Sequence, residues 1–290
     1  MASSSNDAPH YYVPHQTIWP FMMSVGLTGL VLGFIHYLNG DSGTFLMLAG
    51  AGLLIYTLFR WFGEVISESE GRQYGKWEDG SFRLGMSWFI FSEVMFFAAF
   101  FGALFYARVL SVPWLGGAGE EAETHNLLWS AYQAMWPTNG PADVGGEFEA
   151  MPAWGLPAIN TLILLSSGVT VTWAHHALKA NNRQHLVYGL AATVGLGFLF
   201  VILQAVEYSH AYGEMNLTLH SGIYGSTFYM LTGFHGMHVT LGAIILTVVL
   251  FRAIKGHFTP QNHFAFEAAA WYWHFVDVVW LGLFIFVYWL

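Results

Sequence analysis

Residues 84–109, LGMSWFIFSEVMFFAAFFGALFYARV, form an apolar run with Arg83 before it, Arg108 near its end and a single carboxylate, Glu93, inside it. At ~1.5 Å per residue this run makes a helix of about 39 Å, against a hydrocarbon core of ~30 Å. Glu93 then sits roughly 15 Å beyond Arg83, near the middle of a membrane. A carboxylate at that depth costs at least ~2.5 kcal/mol on insertion scales, so it has to be protonated or hydrogen-bonded to a neighbouring helix. A chain with this segment therefore needs other spanning helices, one of which carries the partner of Glu93.

The composition supplies them. Of the 290 residues, 55% are hydrophobic and only 9% charged, where soluble domains carry about 25% charge. The fold class is all-α, a polytopic membrane bundle. The chain has no cysteine, which excludes a disulfide framework, thiolate metal sites and redox dithiols. Its net charge of -9 reflects acidic loops and speaks against nucleic acid as a partner. Residues 1–12 have neither a basic start nor an apolar core, so no cleavable signal peptide is expected.

Seven spans can be placed. A polar, Pro-interrupted arm covers residues 1–18. The first span opens at Trp19-Pro20, with Pro suited to a first helical turn and Trp to the interface, and runs to about Tyr37. The second covers 44–65, and a connection of mixed charge, 66–82, leads to the third, 84–109. The stretch 111–156 is rich in Gly and Pro, and its acidic residues, Glu120 to Glu149, meet no Lys or Arg, so it reads as an acidic extramembrane loop. Spans four to seven are expected at 159–180, 186–210, 223–251 and 266–290. The parts are then the arm 1–18, the first two spans with their connection at 19–83, and the remaining five spans at 84–290.

Eight of the nine basic residues, Arg60, Arg72, Lys76, Arg83, Lys179, Arg183, Arg252 and Lys255, fall on one side of this arrangement, and Arg108 alone on the other. The positive-inside rule makes the N-terminus cytoplasmic and the acidic loop external. No internal repeat is evident, which gives an inverted-repeat transporter little support.

Polar residues inside the spans mark the candidate chemistry. The sixth span carries His235 and His238, three apart and so on one face; the seventh carries His274 and Asp277 at the same spacing. The fourth ends in His175-His176, and the fifth holds Gln204, Glu207 and His210. Imidazoles on facing helices can ligate haem iron, so a cytochrome b-like protein is one reading, and interhelical hydrogen bonding is the other. Depth narrows the partner of Glu93, which lies ~15 Å from Arg83 by the same measure. His238 lies about 21 Å from Arg252, His235 about 26 Å, and His274 about 16 Å from His263, all at ~1.5 Å per residue. His238 is the expected partner and His274 its rival. The glycines of the sixth span point to close helix approach. Trp61, Glu64, Glu68 and Arg72 after the second span, and Arg252, Lys255 and His257 after the sixth, place basic and aromatic groups where anionic headgroups lie.

The strings SEVMFFAAFF, LLSSGVTVTWAHHAL, LQAVEY, YGSTFYMLTGFHGMHVTLG and HFAFEAAAWYWHFVDVVWLGL together resemble cytochrome c oxidase subunit III of the haem-copper oxidases, over all seven spans. The resemblance implies a bacterial, inner-membrane subunit without haem, copper or other metal of its own and with no catalytic residue. Such a subunit packs on subunit I, with subunit II in the same complex and cytochrome c as the complex's substrate. It also implies phospholipid held in a cleft between splayed helices 1–2 and helices 3–7, stabilisation of subunit I, and support of proton uptake. Carried over by motif, Glu93 matches the family's carbodiimide-reactive carboxyl and His238 the second histidine of its GFHGxH string. Arg252, Lys255 and His257 match the cytoplasmic end of helix 6, and Trp61 and Glu68 the lipid-contacting region. The 66–82 connection lacks the family's G-x-H-T histidine, and the acidic insert 116–149 is longer than in the mitochondrial form.

Overall fold

The computed structural model describes residues 12, 15–119 and 122–290; most of the arm assigned to 1–18, and Glu120 and Glu121 of the acidic loop, lie outside these. Among the described residues seven helices are long and apolar enough to cross a membrane. They are α1 (Trp19–Leu38), α2 (Thr44–Glu70), α3 (Lys76–Phe105), α4 (Leu156–Lys179), α5 (Arg183–Gly213), α6 (Gly222–Lys255) and α7 (Phe264–Leu283). π-helical turns extend α3 at Tyr106–Ser111 and α7 at Phe284–Trp289, and the span that α3 begins runs on to Leu115.

The connection expected at 66–82 is mostly helix, and α2 and α3 leave only a short link between Glu70 and Lys76. The charged residues there mark the ends of the membrane segments. Charge ends the apolar span but not the helix, since Glu and Lys are good helix formers in water. Glu78 and Asp79 also fall in the first turn of α3, where the helix dipole favours acid, and Asp79 pairs with Arg83 one turn on. Asn182 caps α5 by accepting from the His185 backbone N–H. At the far end of α6 the Arg183 guanidinium donates to the Ile254 carbonyl, a cation on a helix C-terminus.

The chain forms two compact units, Met1–Leu84 and Gly85–Leu290. In the first, α1 and α2 pack through glycine. A side chain at Gly33 would collide with the backbone of Met47, and one at Gly50 with the backbone of Leu30 and Gly29. Gly26, Gly29 and Gly33 are three and four apart and so share one face of α1. In the second unit, α4 packs on α5 and α7, α5 on α6, and α6 on α7. Phenylalanines of α3 meet α6 and α7, with Phe96 against Phe234 (5.0 Å between centroids) and Phe89 against Tyr272 (6.2 Å). Trp273 and Trp280 are fully buried at the centre, each indole N–H donating to α4, to Ser167 Oγ (2.8 Å) and Thr161 Oγ1 (2.9 Å). The α6 glycines do not all serve helix approach. Gly242 makes room for the Trp273 ring, while a side chain at Gly236 would meet nothing.

Candidate intramembrane polar site

α3 carries Glu93 and α6 carries His238, and the two side chains meet, with His238 Nε2 2.9 Å from Glu93 Oε2. His238 Nδ1 lies 2.6 Å from the Phe234 carbonyl oxygen. A carbonyl only accepts, so Nδ1 carries a proton. The Nε2 contact then holds one further proton, as a carboxylic acid donating to neutral imidazole or as imidazolium donating to carboxylate. The pair is neutral overall in both forms, which is what a position far from water requires. Its side chains are 8% (His238) and 21% (Glu93) exposed. The rings of Phe97, Phe96 and Tyr272 stand 5.0, 5.9 and 6.4 Å from the imidazole, and the Tyr272 hydroxyl donates to the His238 carbonyl (3.3 Å).

The other intramembrane residues are placed apart from this pair. His235 is fully buried, its Nε2–H donating to the Val276 carbonyl (3.2 Å) and its ring packed against Phe200 (5.7 Å) and Trp280 (5.0 Å), which also meet each other (4.7 Å). His274, the rival partner, turns the other way, with Nε2 3.2 Å from Thr172 Oγ1 on α4 and Nδ1 3.7 Å from Asp277 Oδ2. His175 packs against His263 and Phe266. Among the described residues no group of three or more His, Cys, Asp or Glu is placed to hold a metal ion.

A second buried carboxyl forms a contact that the sequence did not mark. Glu207 of α5 has no exposed surface, and the Tyr288 hydroxyl donates to its Oε1 (2.6 Å). Glu207 itself was visible as an intramembrane acid, but its partner sits in an aromatic C-terminal run, FIFVYWL, with no local signal to single out Tyr288.

Of the candidate lipid contacts in the first unit, Trp61 and Glu68 lie within the last turns of α2 rather than after it. Both oxygens of Glu68 are engaged, one by the Tyr12 hydroxyl (2.9 Å) and the other by the Tyr74 hydroxyl. The Tyr12 backbone N–H donates to Glu78 (2.9 Å), so these carboxylates hold the arm at Tyr12. Partial burial and the bond to Glu68 push the Tyr74 hydroxyl well above the ordinary tyrosine range. Trp19 donates to Glu64, and the Arg60 guanidinium lies over the Trp19 ring (5.9 Å). In the second unit Arg252 and Lys255 end α6, with the Arg252 guanidinium over the Phe258 ring (4.8 Å), and His257 follows.

Known proteins share this sequence over nearly its whole length. The family described as "Cytochrome c oxidase subunit III" matches residues 9–127 and 129–290. The "Cytochrome c oxidase subunit 3" of Marchantia polymorpha is 43% identical over 274 residues, which is 93% of this chain and 92% of that protein. Those of Antilope cervicapra and Pelea capreolus are 40% and 39% identical over 281 residues, 96% of each chain. With the family matched almost end to end and a relative above 40% identity, this chain belongs to the cytochrome c oxidase subunit III family.

Proposed function

We propose that the chain is a non-catalytic subunit of a proton-pumping cytochrome c oxidase. As a member of this family it is an integral membrane protein working in a complex with other oxidase subunits, and the complex is an oxidoreductase. In our reading, electrons from cytochrome c reach oxygen through haem and copper held by partner subunits. This chain stabilises subunit I beside subunit II, binds phospholipid and supports proton uptake. The observation that carries the non-catalytic reading is that the buried histidines have other work. His235 packs against Phe200 and Trp280 and spends Nε2 on a carbonyl, and His238 spends both nitrogens on Phe234 and Glu93. His235 Nδ1 has no hydrogen-bond partner among the described residues, so it is the full burial of His235 among aromatic rings and the two bonds of His238 that speak against the alternative of a cytochrome b-like protein, whose axial histidines need a free nitrogen and a flat space for the macrocycle.

The Glu93–His238 pair is proposed as a clasp closing α3 onto α6, with one proton shared within it. For lipid, Trp61, Arg252, Lys255 and His257 are the proposed headgroup contacts, because cations flanked by aromatic rings suit anionic phosphates. Glu68 is assigned with them by resemblance, though its bonds to Tyr12 and Tyr74 favour a role in holding the arm. The bacterial inner membrane rests on the resemblance, and the cytoplasmic N-terminus on the eight basic residues gathered on one side.

The test is to strip this chain from the purified oxidase. The expected result is a complex that keeps its initial electron-transfer rate but takes up protons more slowly and inactivates sooner during turnover. Identical lifetimes and uptake rates with and without the chain would refute the stabilising role.

A further inference from the structure

Asn160 of α4 and Glu207 of α5 have no exposed surface, and Gln204 of α5 is 5% exposed. Among the described residues, both side-chain polar atoms of Asn160, both of Gln204 and Oε2 of Glu207 make no hydrogen bond. Gln204 and Glu207 are three apart and share one face of α5. The register of α4 on α5 brings Asn160 to the same level. The Thr170 and Thr193 hydroxyls meet (2.8 Å), and a side chain at Gly189 would meet Ala174. Ten residues along each antiparallel helix from the Thr170–Thr193 contact, Asn160 stands level with Leu203, next to Gln204. Trp280 of α7 closes the third side. Its N–H donates to Thr161, the neighbour of Asn160, and its ring packs on Phe200 (4.7 Å), one turn before Gln204, and near Tyr288 (5.9 Å). The Tyr288 hydroxyl stands beside Gln204 but bonds to Glu207 Oε1 (2.6 Å) instead.

A buried polar group without a partner is costly, and where the protein supplies none, ordered water does. A buried water makes about three hydrogen bonds, and two carboxamides with an acid at one level offer it donors and acceptors together. Glu207 has a tyrosine hydroxyl as its only hydrogen-bond partner among the described residues. An ionised carboxylate buried without a cation is far costlier than a neutral one, so the group carries a proton. With Tyr288 donating to Oε1, that proton sits on Oε2 and needs an acceptor. We propose that Asn160, Gln204 and Glu207 form an internal water-binding site joining α4 to α5, in which the neutral carboxyl of Glu207 donates to bound water. Glu207 lies six residues before the end of α5 at Gly213, about 9 Å deep at the rise of an α-helix. The site makes Glu207 a second carboxyl, besides Glu93, that holds a proton within the membrane, and it is independent of the subunit role proposed above.

The test is radiolytic labelling of the intact purified oxidase in heavy-oxygen water. A brief X-ray pulse turns bound water into hydroxyl radical in place, so a buried ring gains oxygen where water sits beside it, and the adducts are read by mass spectrometry. Tyr288, at the site and 7% exposed, is compared with Tyr272, 4% exposed and bonded to the His238 carbonyl. The expected result is labelling of Tyr288 at about threefold or more the yield at Tyr272, since only the first has unpaired polar groups beside it to hold water. In Gln204→Leu that yield should fall to the Tyr272 level. Equal labelling of the two tyrosines in the unsubstituted chain would overturn the water site, a comparison that needs no variant to fold. Labelling of Tyr288 that survives Gln204→Leu would overturn its assignment to these side chains. The proton is read separately, as an infrared band of a neutral carboxyl that Glu207→Gln should remove. A spectrum unchanged by Glu207→Gln would overturn the neutral acid and its donation to water.

Discussion

The α1–α2 pair and the five-helix unit solve the same problem, burying helices in a membrane, by different means. α1 and α2 have almost no interior. Their buried residues are Gly26, Gly33, Gly50 and Thr57, and the large apolar side chains face outward. Contact there is backbone against backbone. The five-helix unit instead has a core of leucine, valine and alanine together with indole, phenyl and imidazole rings, with Asn160, Gln204, Glu207, His235 and Asp277 buried among them. Where lipid is as apolar as leucine, burying leucine gives no association energy, so helices are held by close fit or by polar contacts. The pair uses fit, and the larger unit adds polar contacts seated in a mixed aliphatic and aromatic core.

That contrast can be broken at either end. Trp273→Ala should have the largest effect. It empties a site against Gly197 and Gly242 and leaves Ser167 without its indole donor, a loss of about 3 to 5 kcal/mol, read as a fall in the thermal midpoint of the purified oxidase. Gly33→Leu should cost about 1 to 3 kcal/mol by forcing α1 off α2, whereas Gly52→Ala in α2, where nothing lies within 4 Å, should cost nothing measurable. Equal effects from the two glycine variants would remove the role given to backbone contact.

The Glu93–His238 pair stands third. Glu93→Ala leaves His238 Nε2 without its partner at a cost of about 1 to 3 kcal/mol. Glu93→Gln should recover more than half of that, because its amide N–H can donate to the imidazole. An unchanged midpoint and complex yield for Glu93→Ala would sink the clasp. The smallest effect concerns the arm. Because the folded-state pKa of Tyr74 is raised, its contribution is fully present below the ordinary value of 10.0 and is lost as the pH rises through the raised value. Protease access to the chain near Tyr12 should therefore stay constant from neutral pH to about 9, and increase at any pH in Glu68→Ala. Loss of protection between pH 7 and 9 would contradict the Tyr12–Glu68–Tyr74 arrangement.

These effects divide along what the sequence made legible. The seven spans could be read because mean hydropathy over a window reports the bilayer directly. The placement of His238 near Glu93 could be argued because a helix rises by a constant amount per residue, so depth along one helix can be matched to depth along another. Helix ends could not be read the same way. Glu68, Glu78 and Asp79 leave the membrane while remaining helical, and hydropathy registers only the first of these facts. Which way a side chain faces was also hidden. His274 is close to Glu93 in depth, yet it points to Thr172 and Asp277. The α1 glycines lie inside an apolar run that hides them from hydropathy, although their spacing of three and four is a usable signal for close packing. The Glu207–Tyr288 contact joins residues 81 apart with no pattern in either segment.

The most direct test of the central reading is a reduced-minus-oxidised absorption spectrum of the affinity-purified chain, taken in mild detergent before and after its partners are stripped away. We expect haem bands in the first preparation and their loss with a large partner in the second. Haem bands that stay with the isolated chain would make its histidines ligands and contradict the assignment of a subunit without its own redox centre.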